Sequence, residues 1–286
     1  MDIAVSPAGK WALRVVLVLL VAFLYAPLLL LVVFSFNDNN LPVFPLQGFT
    51  TRAYEQFLAN PELKNAVLTS GKVALVASIL SVVLGLLAAI ALVRKRFAGK
   101  TAVSGLLLSP LVIPYIVFAI ALLILFVQID KLPGIELPLS MWTLVIGHVV
   151  ILLPYVILVL IPRLERIDVR LEEAAYDLGA SSWRTFRSIT LPLIWPAMLS
   201  AFLVSFVFSF DEIILASFVA GNATTFPLYL FSQLRFPSLL PQVIAVAVIV
   251  FVVSMVVILA TEVGRRFVER KLDIELAAAP PEALAE

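Results

Sequence analysis

The sequence predicts an all-α integral membrane protein with six transmembrane helices, and three observations support that fold class. Of the 286 residues, 62% are apolar and only 14% are charged, and the mean hydropathy of +1.10 exceeds what a water-soluble fold can bury. Six apolar runs reach the length of about 20 residues that a helix needs to cross the hydrocarbon layer. The runs lack the alternation of a β-barrel, so helices must satisfy the backbone amides within lipid.

Polar or proline-containing segments separate the predicted helices, which cover 11–36, 67–93, 103–127, 140–161, 193–220 and 242–261. We interpret residues 1–272 as a single transmembrane domain and the Ala/Pro-rich segment 273–286 as a disordered tail. The first run resembles a signal peptide but lacks a small-x-small cleavage site, which favours an uncleaved signal anchor. In helices three and four, Pro110, Pro114 and Pro154 predict kinks or unwound turns.

Basic residues are distributed unequally among the connections. Fifteen of the 20 Lys and Arg residues lie before helix one, between helices two and three, between helices four and five, or after helix six. The positive-inside rule therefore places both termini in the cytoplasm. The net charge of +1 gives no reason to expect nucleic acid as a partner, and membrane lipid is the expected surrounding.

Several kinds of chemistry are excluded by composition. The chain has no cysteine for disulfides, thiol catalysis or thiolate metal sites, and its single histidine leaves little for zinc or a histidine-centred triad. That residue, His148, lies in the fourth apolar run, which favours a buried neutral histidine bonded to a neighbouring helix over a proton sensor. The phosphate-binding pattern G-x-x-x-x-G-K-[ST] does not occur, so we expect this chain to bind no cofactor and not to hydrolyse ATP.

The connection between helices four and five, residues 162–192, is longer than a turn and is regularly patterned. Gly179 stands where a helix can end in a left-handed residue, and Ser181 or Ser182 can cap a second helix. Pro192 suits the first turn of helix five. The pattern predicts a helix, a glycine bend and a second helix, with an amphipathic helix at the membrane surface as the alternative. Before the glycine, one helical face carries the apolar residues Leu171, Ala174, Ala175 and Leu178.

The spacing of this loop resembles the EAA loop, EAA-x3-G-x9-I-x-LP, of inner-membrane permease subunits in bacterial ABC importers. The resemblance implies the type I importer permease (MetI-like) fold and coupling helices that dock on an ATPase subunit. It also implies a second, related permease chain as a heterodimer partner, two ATPase subunits that bind ATP and Mg²⁺, and a periplasmic solute-binding protein. The matching residues are Glu173, Ala174, Ala175, Gly179, Ile189, Leu191 and Pro192.

An acidic pair, Asp211 and Glu212, interrupts the fifth apolar run, where each ionised side chain costs roughly 2.5–3.5 kcal/mol. Glu212 extends a polar stripe from Ser205 and Ser209 at helical spacing. Carboxylates beside a narrow path favour amines, and the neighbouring Phe208 can add cation–π attraction. These five residues therefore predict a path for a cationic solute.

Two other interpretations of the acidic pair stay open from sequence. The carboxylates can be interfacial anchors, or they can pair with Lys72 or Arg235, which are predicted on the same outer side. They can also serve as the acid and base of an intramembrane enzyme, although that leaves the EAA-like loop unexplained. A stand-alone cation channel leaves the same loop unexplained.

Three stretches, 47–50, 175–181 and 209–221, resemble the permeases of spermidine/putrescine importers. The resemblance extends over nearly the whole chain apart from the tail and implies a polyamine as the solute. Permeases with similar signatures carry opines, other amino compounds or organophosphonates, and these solutes remain alternatives.

Overall fold

The computed structural model describes residues 6–39, 41–233, 236, 239–256 and 259. Regular structure within these residues is helical, which confirms the all-α class. The helices are α1 (Pro7–Ser35), α2 (Arg52–Ala59), α3 (Pro61–Arg94), α4 (Lys100–Leu108), α5 (Tyr115–Asp130), α6 (Met141–Arg166), α7 (Val169–Asp177), α8 (Ser182–Thr185), α9 (Leu191–Phe210), α10 (Ile214–Val219), α11 (Phe226–Gln233) and α12 (Leu240–Val256).

Within the described residues, four continuous helices are long and apolar enough to cross a membrane: Pro7–Ser35, Pro61–Arg94, Met141–Arg166 and Ser182–Phe210. They correspond to predicted spans one, two, four and five. A bent pair of helices provides a fifth candidate and corresponds to span three. Span six begins as the shorter apolar helix α12, while its predicted end and the predicted tail lie outside the described residues. The count of six spans therefore stays a prediction.

The third predicted span consists of two helices that bend by 106°. A 3-10 turn, Ser109–Leu111, follows α4, and α5 begins at Tyr115. Pro110 lies at the start of the 3-10 turn and Pro114 directly precedes α5, positions at which a missing N–H breaks no helical hydrogen bond. The unwound turn expected at these two prolines is confirmed, whereas α6 stays helical through Pro154.

One compact unit contains Asn65–Phe231, and α6 lies at the centre of its packing. A first buried apolar cluster joins α5, α6 and α10 through residues such as Leu122, Leu144 and Leu215. A second cluster joins α3, α6 and α9. At Gly85 the side chain of Val156 fills the space that a Cβ atom would occupy, so α3 and α6 approach closely. Because α6 contacts both α9 and α10, it can hold the point where these two helices meet.

The other compact unit contains α1, α2, the first turn of α3 and α12. After α1 the chain folds back, since Phe36 stacks on Phe49 at 5.0 Å and the Ser35 hydroxyl lies 2.8 Å from that of Tyr54. Asn60 donates a 2.9 Å hydrogen bond to Gln242 at the start of α12. The predicted first external connection is therefore a folded segment that includes a helix.

Candidate functional site

The predicted fifth span is not one helix to residue 220, because α9 ends at Phe210 and α10 begins at Ile214. The predicted single helix is therefore wrong beyond Phe210, and the carboxylate of Glu212 explains the break. Its two oxygens accept hydrogen bonds from the backbone N–H groups of Leu215 at 2.8 Å and Ala216 at 3.0 Å. A side chain that satisfies the first amides of a new helix competes with continuation of the old one.

A buried polar cluster holds this break against α6. His148 is 2% exposed, its Nδ1 lies 2.5 Å from the Ser209 hydroxyl, and its Nε2 lies 3.7 Å from a carboxylate oxygen of Glu212. The prediction of a buried histidine bonded to a neighbouring helix is confirmed. We call His148, Ser209 and Glu212 the break cluster. It connects α6 to the end of α9 and the start of α10.

The two adjacent carboxylates have different surroundings. The side chain of Glu212 is 8% exposed and is occupied by its amide and histidine contacts, whereas Asp211 is exposed. Among the described residues, Lys72 is exposed and forms no ion pair with either carboxylate, and Arg235 lies outside the described part. Of the pair, Asp211 is therefore the carboxylate available to a solute.

The other residues of the predicted solute path are divided by the break. Ser205 and Ser209 are buried on α9, and their stripe cannot continue as a helical face to Glu212 because the helix ends first. Ser209 and Glu212 instead meet through His148. Phe208 is 52% exposed and stacks on Tyr155 of α6, with ring centroids 5.1 Å apart. The exposed members of the predicted path are Asp211 and Phe208.

The loop between α6 and α9 contains the predicted glycine bend. After α7, Gly179 has a φ of +80° and donates a 2.9 Å hydrogen bond to the Tyr176 carbonyl. Ala180 donates a second 2.9 Å bond to the Ala175 carbonyl. These two bonds satisfy carbonyls that the helix end leaves free, which is the usual reason for a left-handed residue there. The predicted helix and bend are confirmed.

The second helix of the loop continues into the membrane-spanning helix without a separating turn. Ser181 caps α8, as predicted, and a π-helical turn, Phe186–Thr190, connects α8 to α9. Pro192 lies in the first turn of α9, as predicted, although a π turn and not a break precedes it. Its ring would clash with the carbonyl four residues earlier in a regular helix, and that carbonyl lies in the π turn.

Apolar side chains of the loop point outward. Leu171 is 49% exposed, Leu178 is 89% exposed and Trp183 is 68% exposed. The motif residue Glu173 is also exposed. An exposed apolar surface on a short helical element suits a contact with a protein or with the membrane surface, the two interpretations that the sequence leaves open.

Glu172 belongs to the site although the motif does not indicate it. Its Oε1 accepts hydrogen bonds from Arg94 Nη2 at 3.2 Å and from the Thr190 hydroxyl at 3.0 Å. Arg94 Nη2 also donates to the Ile167 carbonyl at 3.1 Å, and the Arg94 and Glu172 side chains are each 14% exposed. We call Arg94, Glu172 and Thr190 the loop lock. A motif within residues 173–192 cannot reveal a partner 78 residues away from Glu172.

Long apolar helices, a helix break at an acidic pair and a helical loop between two spans are the features of a multi-pass membrane protein. The chain belongs to the family described as binding-protein-dependent transport system inner membrane component, whose sequence profile matches residues 81–273. It is therefore a multi-pass inner-membrane protein and a permease subunit of this transport class. Membership assigns the chain to transport and not to intramembrane catalysis.

Relatives of known function are similar over most of the chain. It is 38% identical over 246 residues to the spermidine/putrescine transport system permease protein PotC of Escherichia coli (strain K12), covering 86% of this chain and 90% of the relative. It is 38% identical over 247 residues to the putrescine transport system permease protein PotI of the same organism, covering 85% and 87%. PotC of Haemophilus influenzae is 39% identical over 246 residues, covering 86% and 93%.

Solved structures share the fold at lower identity. A chain of a bacterial ABC transporter involved in the import of the acidic polysaccharide alginate aligns with a TM-score of 0.66 and 18% identity, covering 92% of this chain and 98% of that one. A chain of an amino acid ABC transporter aligns with a TM-score of 0.54 and 17% identity, covering 74% and 97%. These matches support the expected MetI-like importer permease fold.

Proposed function

We propose that this chain is one half of the transmembrane path of an ABC importer for putrescine or spermidine. The observation that carries the proposal is the 38% identity, over 85–86% of the chain, to permeases named for those polyamines. Opines, other amino compounds and organophosphonates remain the alternative solutes within the same machinery.

The exposed part of the break suits a polycation. Asp211 offers an exposed carboxylate that forms an ion pair with none of the described residues, and the half-exposed ring of Phe208 lies three residues before it. A protonated amine gains Coulombic attraction from the first and cation–π attraction from the second. An anionic solute would gain neither. The chemistry of these two side chains therefore favours amines over organophosphonates.

The proposed assembly contains a second permease chain as a heterodimer partner, two ATPase subunits and a periplasmic solute-binding protein. ATP and Mg²⁺ are bound and consumed in the ATPase subunits, and this chain binds no cofactor. Both termini lie in the cytoplasm, in agreement with the excess of basic residues in the connections on that side. The proposed coupling surface consists of α7, α8 and the bend between them, where the exposed Leu178 and Trp183 are available to the ATPase.

Uptake of labelled putrescine and spermidine tests the proposed solute. In cells that express the complete importer as their sole polyamine uptake system, we expect uptake with the intact chain. Asp211→Asn should reduce uptake about tenfold, which corresponds to the loss of about 1.4 kcal/mol of attraction along the path. Complex assembly and basal ATPase activity should be retained, because Asp211 is exposed and outside the break cluster.

Glu136→Gln is the matched control, because it neutralises another exposed carboxylate on the predicted outer side. It should leave uptake unchanged at equal membrane expression. Excess unlabelled opine, amino compound or organophosphonate should not compete with the labelled polyamine. Absence of polyamine uptake with the intact chain, or competition by one of these other solutes at lower concentration, would reject the polyamine assignment.

A second prediction concerns the bend of the coupling surface. Gly179→Val should abolish most uptake, because a β-branched residue at a φ of +80° costs about 1–3 kcal/mol and redirects α8 relative to α7. A Cβ atom at this position meets no neighbour within 4 Å, so the effect should come from backbone conformation and not from a clash. The measurement is uptake per assembled complex.

Gly179→Asn provides the control for this prediction, because asparagine tolerates the left-handed region better than other residues with a side chain. It should retain most of the uptake that Gly179→Val loses. Equal uptake in the two variants would show that the left-handed bend is not required for coupling.

A further inference from the structure

We propose that the loop lock, Arg94, Glu172 and Thr190, is a set of positioning residues that makes α7 move together with the adjoining ends of α3 and α9. The proposal rests on the proposed coupling function and identifies, within this chain, the contacts that transmit a displacement of α7. None of the three residues belongs to the EAA pattern that the sequence presents.

Three hydrogen bonds of the lock connect α7, the end of α3, the π turn before α9 and the residue after α6. Glu172 of α7 uses a single oxygen to accept from Arg94, at the end of α3, and from Thr190, at the end of the π turn that leads into α9. Arg94 also donates to the carbonyl of Ile167, directly after α6. Burial of both charged side chains to 14% exposure strengthens these charge-assisted bonds relative to exposed ones.

α7 depends on this lock because apolar packing does not hold it. The nine-residue helix contains no fully buried side chain, and its apolar residues Val169 and Leu171 are exposed. The adjacent Gly179 has open space around it and offers no steric stop. Glu172 lies in the first turn of the helix and is its least exposed charged side chain. The polar bonds of Glu172 are thus the specific attachment of α7 to the membrane-spanning helices.

The hydrogen bond from Thr190 to Glu172 connects α7 to the residue directly before α9. Thr190 is 6% exposed and is the last residue of the π turn. A π turn inside a helix is rare and often marks a functional site. Through Thr190, a displacement of α7 acts on the continuous helix directly before α9, which ends at the acidic break.

Pulsed electron–electron double resonance, which measures the distance between two spin labels, tests the positioning role without relying on transport. The chain has no cysteine, so spin labels can be attached at Lys95→Cys and Asp177→Cys, two exposed positions at the end of α3 and on α7. In the assembled importer in lipid nanodiscs, we expect one narrow distance distribution for the intact lock. Glu172→Gln and Thr190→Val should broaden it, whereas Thr190→Ser, which keeps the hydroxyl, should not.

The same variants, without labels, give the functional readout. Glu172→Gln and Thr190→Val should lower the amount of solute imported per ATP hydrolysed at least about fivefold, the range of an ordinary coupling free energy. Thr190→Ser should restore the ratio, which a defect in assembly alone would not predict. Glu165→Gln is the control, since Glu165 is an exposed carboxylate near the end of α6 and outside the lock.

Two results would overturn the proposal: unchanged narrow distances in Glu172→Gln and Thr190→Val, or broadened distances with an unchanged ratio of solute to ATP. If Glu172→Gln does not assemble, the comparison of Thr190→Val with Thr190→Ser still tests the proposal. Both variants keep every charge and differ in the hydroxyl that binds Glu172. A wrong solute assignment is a separate result, because it would appear as absent polyamine uptake with the intact chain. The distances between the spin labels would still report on the lock in that case.

Discussion

Gly221→Ala is expected to prevent stable accumulation of the protein in the membrane. Gly221 follows α10 with a φ of +57°, and a Cβ atom there would overlap the backbone carbonyl of Leu139. A backbone group cannot rotate away as a flexible side chain can. The left-handed conformation costs an alanine about 1–3 kcal/mol, and the overlap adds about 1–3 kcal/mol more.

Gly221 lies where the end of α10 packs against the start of α6. Leu139 lies just before the cap of α6, and nearby the Thr143 hydroxyl of α6 donates a 2.8 Å hydrogen bond to the Val219 carbonyl at the end of α10. Displacement of Gly221 from Leu139 would therefore disturb the packing of α10 against α6. Thermal unfolding of the purified protein in detergent, together with the amount recovered from the membrane, measures the effect.

Gly105→Ala is the control for the glycine prediction. Gly105 lies within α4, and a Cβ atom added there meets nothing within 4 Å. Alanine is favoured over glycine in a helix by about 1 kcal/mol, so this variant should be as stable as the parent or slightly more stable. Similar unfolding temperatures for Gly221→Ala and Gly105→Ala would show that α10 does not depend on the close approach at Leu139.

The second large effect is expected at Glu212, where Glu212→Ala should destabilise the protein and eliminate uptake. The substitution removes the acceptor of the Leu215 and Ala216 amides, and each buried donor left without a partner costs about 1–3 kcal/mol. It also removes the carboxylate next to His148. Glu212→Gln keeps one oxygen acceptor and should lose less stability than Glu212→Ala.

Asp211→Asn separates structure from solute attraction at the same break. We expect the unfolding temperature of Asp211→Asn to equal that of the parent, with Glu212→Gln lower and Glu212→Ala lowest. Asp211→Asn should nevertheless lose uptake, because Asp211 is the exposed carboxylate. If Asp211→Asn and Glu212→Ala lower the unfolding temperature equally, the division of roles between the two carboxylates is wrong.

The features that sequence predicts correctly have local causes. The bend at Gly179 depends on a helical pattern followed by a residue that tolerates positive φ, and both are visible within ten residues. The interruption of span three depends on Pro110 and Pro114, whose ring geometry acts on their own neighbours. The membrane class follows from composition, because no packing arrangement hides so much apolar surface from water.

The features that sequence does not predict depend on contacts between distant segments. The apolar run through Phe210 continues past the acidic pair, and only the bonds of Glu212 to the following amides and its approach to His148 show why the helix stops. Glu172 is adjacent to the motif residue Glu173, and nothing in the spacing distinguishes the partly buried carboxylate of Glu172 from the exposed one of Glu173. That distinction requires the position of Arg94, which the tertiary fold supplies.

The continuity of the helix Ser182–Phe210 has a mechanical consequence. At about 1.5 Å per residue, its 29 residues extend over roughly 43 Å from the loop to the acidic break, with a π turn and Pro196 along the way. Trp183 of the loop and Phe210 at the break belong to the same continuous helix. A displacement of the loop end of this helix can therefore reach the backbone beside Asp211 without crossing a non-helical segment.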